Sequence, residues 1–136
     1  MSNQKTLSII KPDAVKAGQA DAINLMIENS GLKILEKKEI KLSKEEAQQF
    51  YAVHSDKPFY NELCEFMTSG PIVVQILEGE NAIELYRKVM GANNPEKADK
   101  NTIRKKFSTS IQENAVHGSD SEENALKELN FFFKDV

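Results

Sequence analysis

His117 stands in the stretch Asn114-Ala115-Val116-His117-Gly118-Ser119-Asp120-Ser121, between a short apolar step and a run of small oxygen-bearing side chains. An imidazole can carry a proton, and when neutral it is a competent nucleophile, because an ordinary histidine titrates at about 6.5. Ala115-Val116 predicts an extended segment. From Ser121 onward Ala125, Leu126 and Leu129 recur at one-face helical spacing, so His117 is expected where a strand turns into a helix N-terminus. Backbone N–H groups at such a terminus favour an anion such as phosphate. Gly118 would let the main chain come close to it without a Cβ in the way. By residue type alone, a lone histidine before a helix is more often a cap or a solvated group.

Other charged residues extend the pattern. Lys11 closes the apolar run Thr6-Leu7-Ser8-Ile9-Ile10, where a cation is badly placed unless something anionic meets it or its stem snorkels to the surface. Arg87 projects from the polar side of a helix, and Arg104 lies in a short turn capped by Thr102. An arginine's planar fork suits phosphate oxygens. A bound phosphate would have to rely on such side chains, since no Gly-x-x-x-x-Gly-Lys-Ser/Thr loop, protein-kinase glycine loop or His-Glu-x-x-His helix occurs. Nor is there a Gly-x-Ser-x-Gly elbow, and one Cys with two distant His residues makes a zinc site improbable. His54, in a polar loop, reads as solvated, and Cys64 as a buried helical thiol without chemistry.

The elements that must position these groups follow from periodicity. Strands are expected over Thr6–Lys11, Leu32–Leu42 and Ile72–Glu78, with Pro12-Asp13 ending the first sharply. Helices are expected over Asp21–Asn29, from the capping box Ser43-Lys44-Glu45-Glu46, over about Phe59–Ser69, and from an Asn81 cap to Gly91. Ala92 to Asn101 is a long loop without periodicity, which marks function or mobility. The order β-α-β-α-α-β-α-loop-β-α reduces to a βαββαβ-like arrangement, α/β or α+β around one sheet.

With 136 residues, 40% apolar and 29% charged, the chain is expected to form a single soluble domain over residues 1–136. A net charge of −3 gives no global positive field for nucleic acid or anionic lipid. No apolar run reaches membrane-span length, Met1–Lys5 show no signal-peptide core, and the single cysteine suits a reducing cytoplasm.

Asn-x-x-His-Gly-Ser-Asp-Ser resembles the active-site signature of the nucleoside diphosphate kinases, and the Lys11-Pro12-Asp13 motif and the rest of the chain are similar to that family in register. The resemblance implies a ferredoxin-like α+β fold, an antiparallel four-stranded sheet covered by helices. It also implies transfer of the γ-phosphoryl of a nucleoside triphosphate to a nucleoside diphosphate through a phosphohistidine, with ping-pong kinetics. On this likeness His117 is the nucleophile and Lys11 meets the transferring phosphate and the ribose 3′-hydroxyl. Tyr51 lies beside the imidazole, while Ser119 and Glu128 orient it. Arg87 and Arg104 bind terminal phosphates, Asn114 the sugar, and Phe59 stacks on the base with Leu63 and Ile111. Mg²⁺ arrives with the nucleotide and reaches Asp120 only through water. Without the likeness, Glu128 is simply an exposed helical glutamate. Asn93 stands where the family usually has threonine, which predicts retained activity with altered phosphate affinity. Lys100-Asn101 also departs from the usual loop and bears on subunit contacts. A homo-oligomer, tetramer or hexamer built from dimers, is implied. The alternative is a nucleotide-binding or scaffold module of the same fold that has lost turnover, and a ferredoxin-like nucleic-acid binder is disfavoured by the acidic balance.

Overall fold

The computed structural model describes residues 3–92, 94–108 and 115–133. Strand β1 (Asn3–Ile10) lies inside the sheet, and its inner half, Leu7 to Ile10, is wholly buried. β3 (Ile72–Glu80) pairs with it antiparallel from Ile10↔Val73 to Asn3↔Glu80. β2 (Lys33–Ile40) flanks β3 with a bulge between Ile34 and Glu36, and β4 (Val116–Gly118) flanks β1. The order β2-β3-β1-β4, all antiparallel, bears out the ferredoxin-like expectation.

Alternation along the central strands divides the core in two. Leu7, Ile9, Ile72, Val74 and Ile76 meet the helices α3 (Lys44–Phe50), α4 (Tyr60–Met67) and α7 (Glu122–Phe132) on one face. Ile10, Val73 and Leu77 meet α1 (Pro12–Lys16), α2 (Ala20–Asn29), α5 (Ala82–Met90) and α6 (Ile103–Phe107) on the other. Fully burying one such aliphatic side chain contributes roughly 1.5–3 kcal/mol, so the two half-cores hold the sheet fixed between them.

Local signals act mostly as expected. Ser43 and Glu46 form the reciprocal capping box, and Thr102 accepts from the Lys105 N–H to open α6. One expectation is extended and one corrected. β1 ends before Pro12 as expected, and Pro12 also starts the short helix α1, because proline's fixed φ and missing N–H suit a first helical position. Asn81 precedes α5 with φ 51° and makes no side-chain cap hydrogen bond among the described residues; a left-handed backbone turn, not a cap, sets that helix. Gly91 ends α5 at φ 87°, and a Cβ there would lie 2.5 Å from the Thr102 hydroxyl, so only glycine lets α6 close down on α5.

Candidate active site

His117 lies in β4, opposite Ile9 on β1. The helix that follows starts only at Glu122, and its first-turn donor at Asn124 is already bonded to the Ser121 hydroxyl. Glu122 and Glu123 occupy that first turn. The strand-to-helix order is as expected, but the terminus itself is not left for an anion: its dipole is already complemented by acidic side chains. The cationic groups that share the cavity with His117 are the side chains of Arg87 and Arg104.

Placement of β4 depends on the residues that follow β1. The Lys11 N–H donates to the Ala115 carbonyl (2.8 Å), and the Ala115 N–H donates to Asp13 Oδ2 (3.2 Å). Both backbone groups of Ala115 are thereby held in a left-handed conformation at φ 72°, which an alanine adopts only under constraint. Gly118 also matters, though for a different neighbour than expected. A Cβ on it would meet Met90 Cε and the Tyr86 ring at 2.7 Å, so its bareness serves the packing of α5 under β4. The Tyr86 hydroxyl shares a hydrogen bond with Ser8 Oγ (2.7 Å), and Gln75 Nε2 donates to the same Ser8 oxygen (3.2 Å).

The imidazole is anchored from α7. His117 Nε2 lies 2.9 Å from Glu128 Oε1, and the Ser119 hydroxyl donates to that same oxygen at 2.8 Å. A carboxylate accepts only, so in the neutral imidazole this contact assigns the proton to Nε2 and the lone pair to Nδ1. Glu128 is thus no solvated helical glutamate: 22% of its side chain is exposed, against 24% for His117.

A cavity opens over the histidine, lined among others by Tyr51, Arg87, Arg104, Asp120 and Glu128. Arg104 is buried, its Nη1 donating to the Gly91 carbonyl and its Nη2 to the Val116 carbonyl, each at 3.0 Å. Burial pulls its guanidinium below the ordinary arginine range. Lys11 is 8% exposed and close enough to Arg104 to feel its charge, but it is not among the residues that line the cavity. Burial first, and then the Arg104 charge, lower its pKa to about 8, with Asp13 acting the other way. Burial likewise raises the Asp13 carboxyl and, with Glu128 adding to it, the Tyr51 phenol. The buried Tyr51 hydroxyl has no hydrogen-bond partner among the described residues. A pocket that crowds cations and leaves a phenol unpartnered suits an anionic ligand rich in acceptors.

Remaining expectations fare unevenly. Arg87 is exposed yet lines the cavity. Asp120 lines it too; the Asn124 amide donates to its carboxylate at 2.6 Å and, ahead of the smaller effect of Arg87, holds it below the usual carboxylate range. Phe59 and Leu63 are not among the lining residues. Phe59 is 46% exposed, with its ring 5.6 Å from that of His54, and Leu63 packs on the core. His54, read from sequence as solvated, does line the cavity, together with Phe50, Val53 and Met90. Only the helical spacing of Phe50 and Tyr51 could have flagged the first of these. Asn93, Ile111 and Asn114 lie outside the described residues. No group of three or more His, Cys, Asp or Glu side chains able to hold a metal occurs among the described residues.

Sheet order and two-sided helical cover define a ferredoxin-like α+β protein, and its cavity sets a carboxylate-anchored imidazole beside two arginines. A family model described as nucleoside diphosphate kinase matches residues 4–136, and the chain belongs to that family, whose members are phosphotransferases. It is 59% identical over 130 residues to a nucleoside diphosphate kinase of Campylobacter curvus, covering 96% of this chain and 95% of that one. It is 55% identical over 135 residues to one of Methylobacterium radiotolerans, covering 99% and 96%. Among solved structures, the Aquifex aeolicus nucleoside diphosphate kinase superposes with a TM-score of 0.93 at 40% identity, covering 98% and 97%. A halophilic nucleoside diphosphate kinase from Halobacterium salinarum in complex with CDP gives 0.94 at 35% identity, covering 98% and 90%.

Proposed function

We propose that this chain transfers the γ-phosphoryl of a nucleoside triphosphate to a nucleoside diphosphate through a phosphohistidine on Nδ1 of His117. The observation that carries the reading is the Glu128–His117 contact. It commits the proton to Nε2, so the nitrogen with a free lone pair is the one away from the anchor. In the first half-reaction Nδ1 forms a bond to phosphorus as the bond to the leaving diphosphate oxygen breaks. In the second, the terminal oxygen of a new diphosphate attacks and the P–N pair returns to the ring. Arg104, Arg87 and Lys11 offset charge on the phosphoryl oxygens, and the Tyr51 hydroxyl donates into the same space. Asn114 would serve the sugar, Asn93 a phosphate, and Phe59 with Leu63 and Ile111 the base.

Magnesium belongs to this reading as an ion carried by the nucleotide phosphates. The scattered acids fit that and not a resident metal: Asp120 is exposed and already shared with Asn124. Further parts of the proposal are a single domain, a cytoplasmic site, and a homo-oligomer, tetramer or hexamer, assembled from dimers. Two observations support the assembly: β2 pairs with β3 alone among the described residues, and its Leu35 is 46% exposed. Among the described residues no helix is long and apolar enough to cross a membrane. The experiment is mass spectrometry after exposure to Mg·ATP without acceptor, followed by addition of a diphosphate. One acid-labile phosphoryl group on His117, discharged by the acceptor, is expected. An unmodified ring would sink the reading.

A further inference from the structure

The anchor on Glu128 leaves one degree of freedom open. Nε2 is distal to the Cβ–Cγ bond, so holding it fixes where the ring points more tightly than how it turns about that bond, and histidine's χ2 is intrinsically broad. Yet this rotation is what aims the Nδ1 lone pair. A second contact bears on it. The Phe50 ring, at the end of α3, stands edge-on to the imidazole, centroids 5.7 Å apart and planes at 76°.

Phe50 is itself braced from three sides. Tyr51 stands perpendicular to it at 4.9 Å, Phe131 lies 5.4 Å away and Phe132 5.2 Å. Glu128, Phe131 and Phe132 are spaced i, i+3 and i+4 on α7, hence on one face of that helix. One helix therefore reaches the imidazole by two routes: directly, through a carboxylate on Nε2, and indirectly, through two phenyl rings that back Phe50. We propose that Phe50 is a positioning residue that sets the rotation of the His117 ring, with Phe131 and Phe132 of α7 holding Phe50 in place. The proposal rests on His117 as phosphoryl carrier for its kinetic consequence, and on geometry alone for the order of the ring.

Phe50→Leu keeps apolar bulk and removes the ring, and Phe50→Tyr restores it. With Phe50→Leu the single-turnover phosphorylation of His117 by saturating Mg·ATP should slow about tenfold, as small misalignments of a reacting group do, while diphosphate affinity stays put. Phe50→Tyr should remain within about twofold of wild type. Nitrogen NMR of the His117 ring, recorded without nucleotide, should show one ordered tautomer in wild type and Phe50→Tyr and exchange-broadened signals in Phe50→Leu. If Phe50→Leu does not fold, Phe131→Leu, at a partly exposed position, carries the test with the same broadening in smaller degree. Ring signals unchanged by the substitution, or a rate loss matched by an equal loss of affinity, would overturn the proposal. A wild-type ring that takes no phosphoryl group would defeat the reading under Proposed function, and the NMR result would still decide this one.

Discussion

The two sides of the cavity are built differently. On the inner side Tyr51 and Arg104 are buried, the buried Lys11 feels the Arg104 charge from outside the lining, and Arg104 spends two donors tying Gly91 at the end of α5 to Val116 on β4. On the outer side Arg87 and Asp120 are exposed, Val53 is 78% exposed, and Phe59 stands beyond the lining with its ring against that of His54. Charges held in a poorly solvating, immobile setting stabilise a developing charge far better than charges free to be screened. On the proposed reaction, the inner side would serve the transition state and the outer side would hold and release the nucleotide.

That contrast can be broken most sharply at the imidazole. His117→Ala should abolish exchange in a coupled nucleotide assay while nucleotide affinity and thermal midpoint stay near wild type; surviving exchange would remove His117 as carrier. Next comes the arginine pair. Arg104→Ala should lower kcat on the order of a hundredfold and also lower Tm, because two backbone carbonyls lose their donor. Arg87→Ala should raise KM and leave Tm unmoved, and equal Tm losses would erase the distinction between the two sides. Lys11 supplies a pH test. With its folded pKa at about 8, below the ordinary 10.5, it loses its charge as pH rises through 8, so kcat/KM should fall there. Above pH 8 the unfolded chain binds the proton that the folded chain has lost, so the Lys11 contribution to stability rises over the same window. Activity and stability should therefore diverge, and Lys11→Met should remove the alkaline gain in Tm. Smaller still, Phe59→Ala should cost about 1 kcal/mol of base stacking, roughly fivefold in KM, the low end for an exposed ring. Asn93→Thr should alter KM less than that, and unchanged kinetics would show that the position is not limiting.

Much of the fold was legible because strong local signals agree with it. Ile72–Glu78 reads as a strand from its β-branched run, two residues short of the observed Ile72–Glu80, and Ser43–Glu46 announces its helix. What failed was set by partners distant in the chain. Glu128 looks solvated on a helical wheel, and only the return of α7 across β4 brings it to His117. His54 sits in a polar stretch, so nothing local shows that its turn borders the cavity. Gly118 was read as room for a ligand, whereas it is room for Tyr86, whose burial follows from the helical stripe but whose neighbour does not. Arg104 shows the same limit. Its type suggests a phosphate ligand, and only the packing of α6 against α5 shows that it is also a tie between elements.

Ala115 carries a consequence of its own. The bond that holds its N–H joins positions 102 residues apart in the chain. Contacts of such separation pay most of their loop-closure entropy before they give anything back. The three-residue strand bearing the imidazole should thus be among the last parts to dock during folding, and among the first to let go when the native state fluctuates. A brief detachment of that edge would silence chemistry while leaving the sheet standing, so loss of turnover on warming should precede loss of secondary structure.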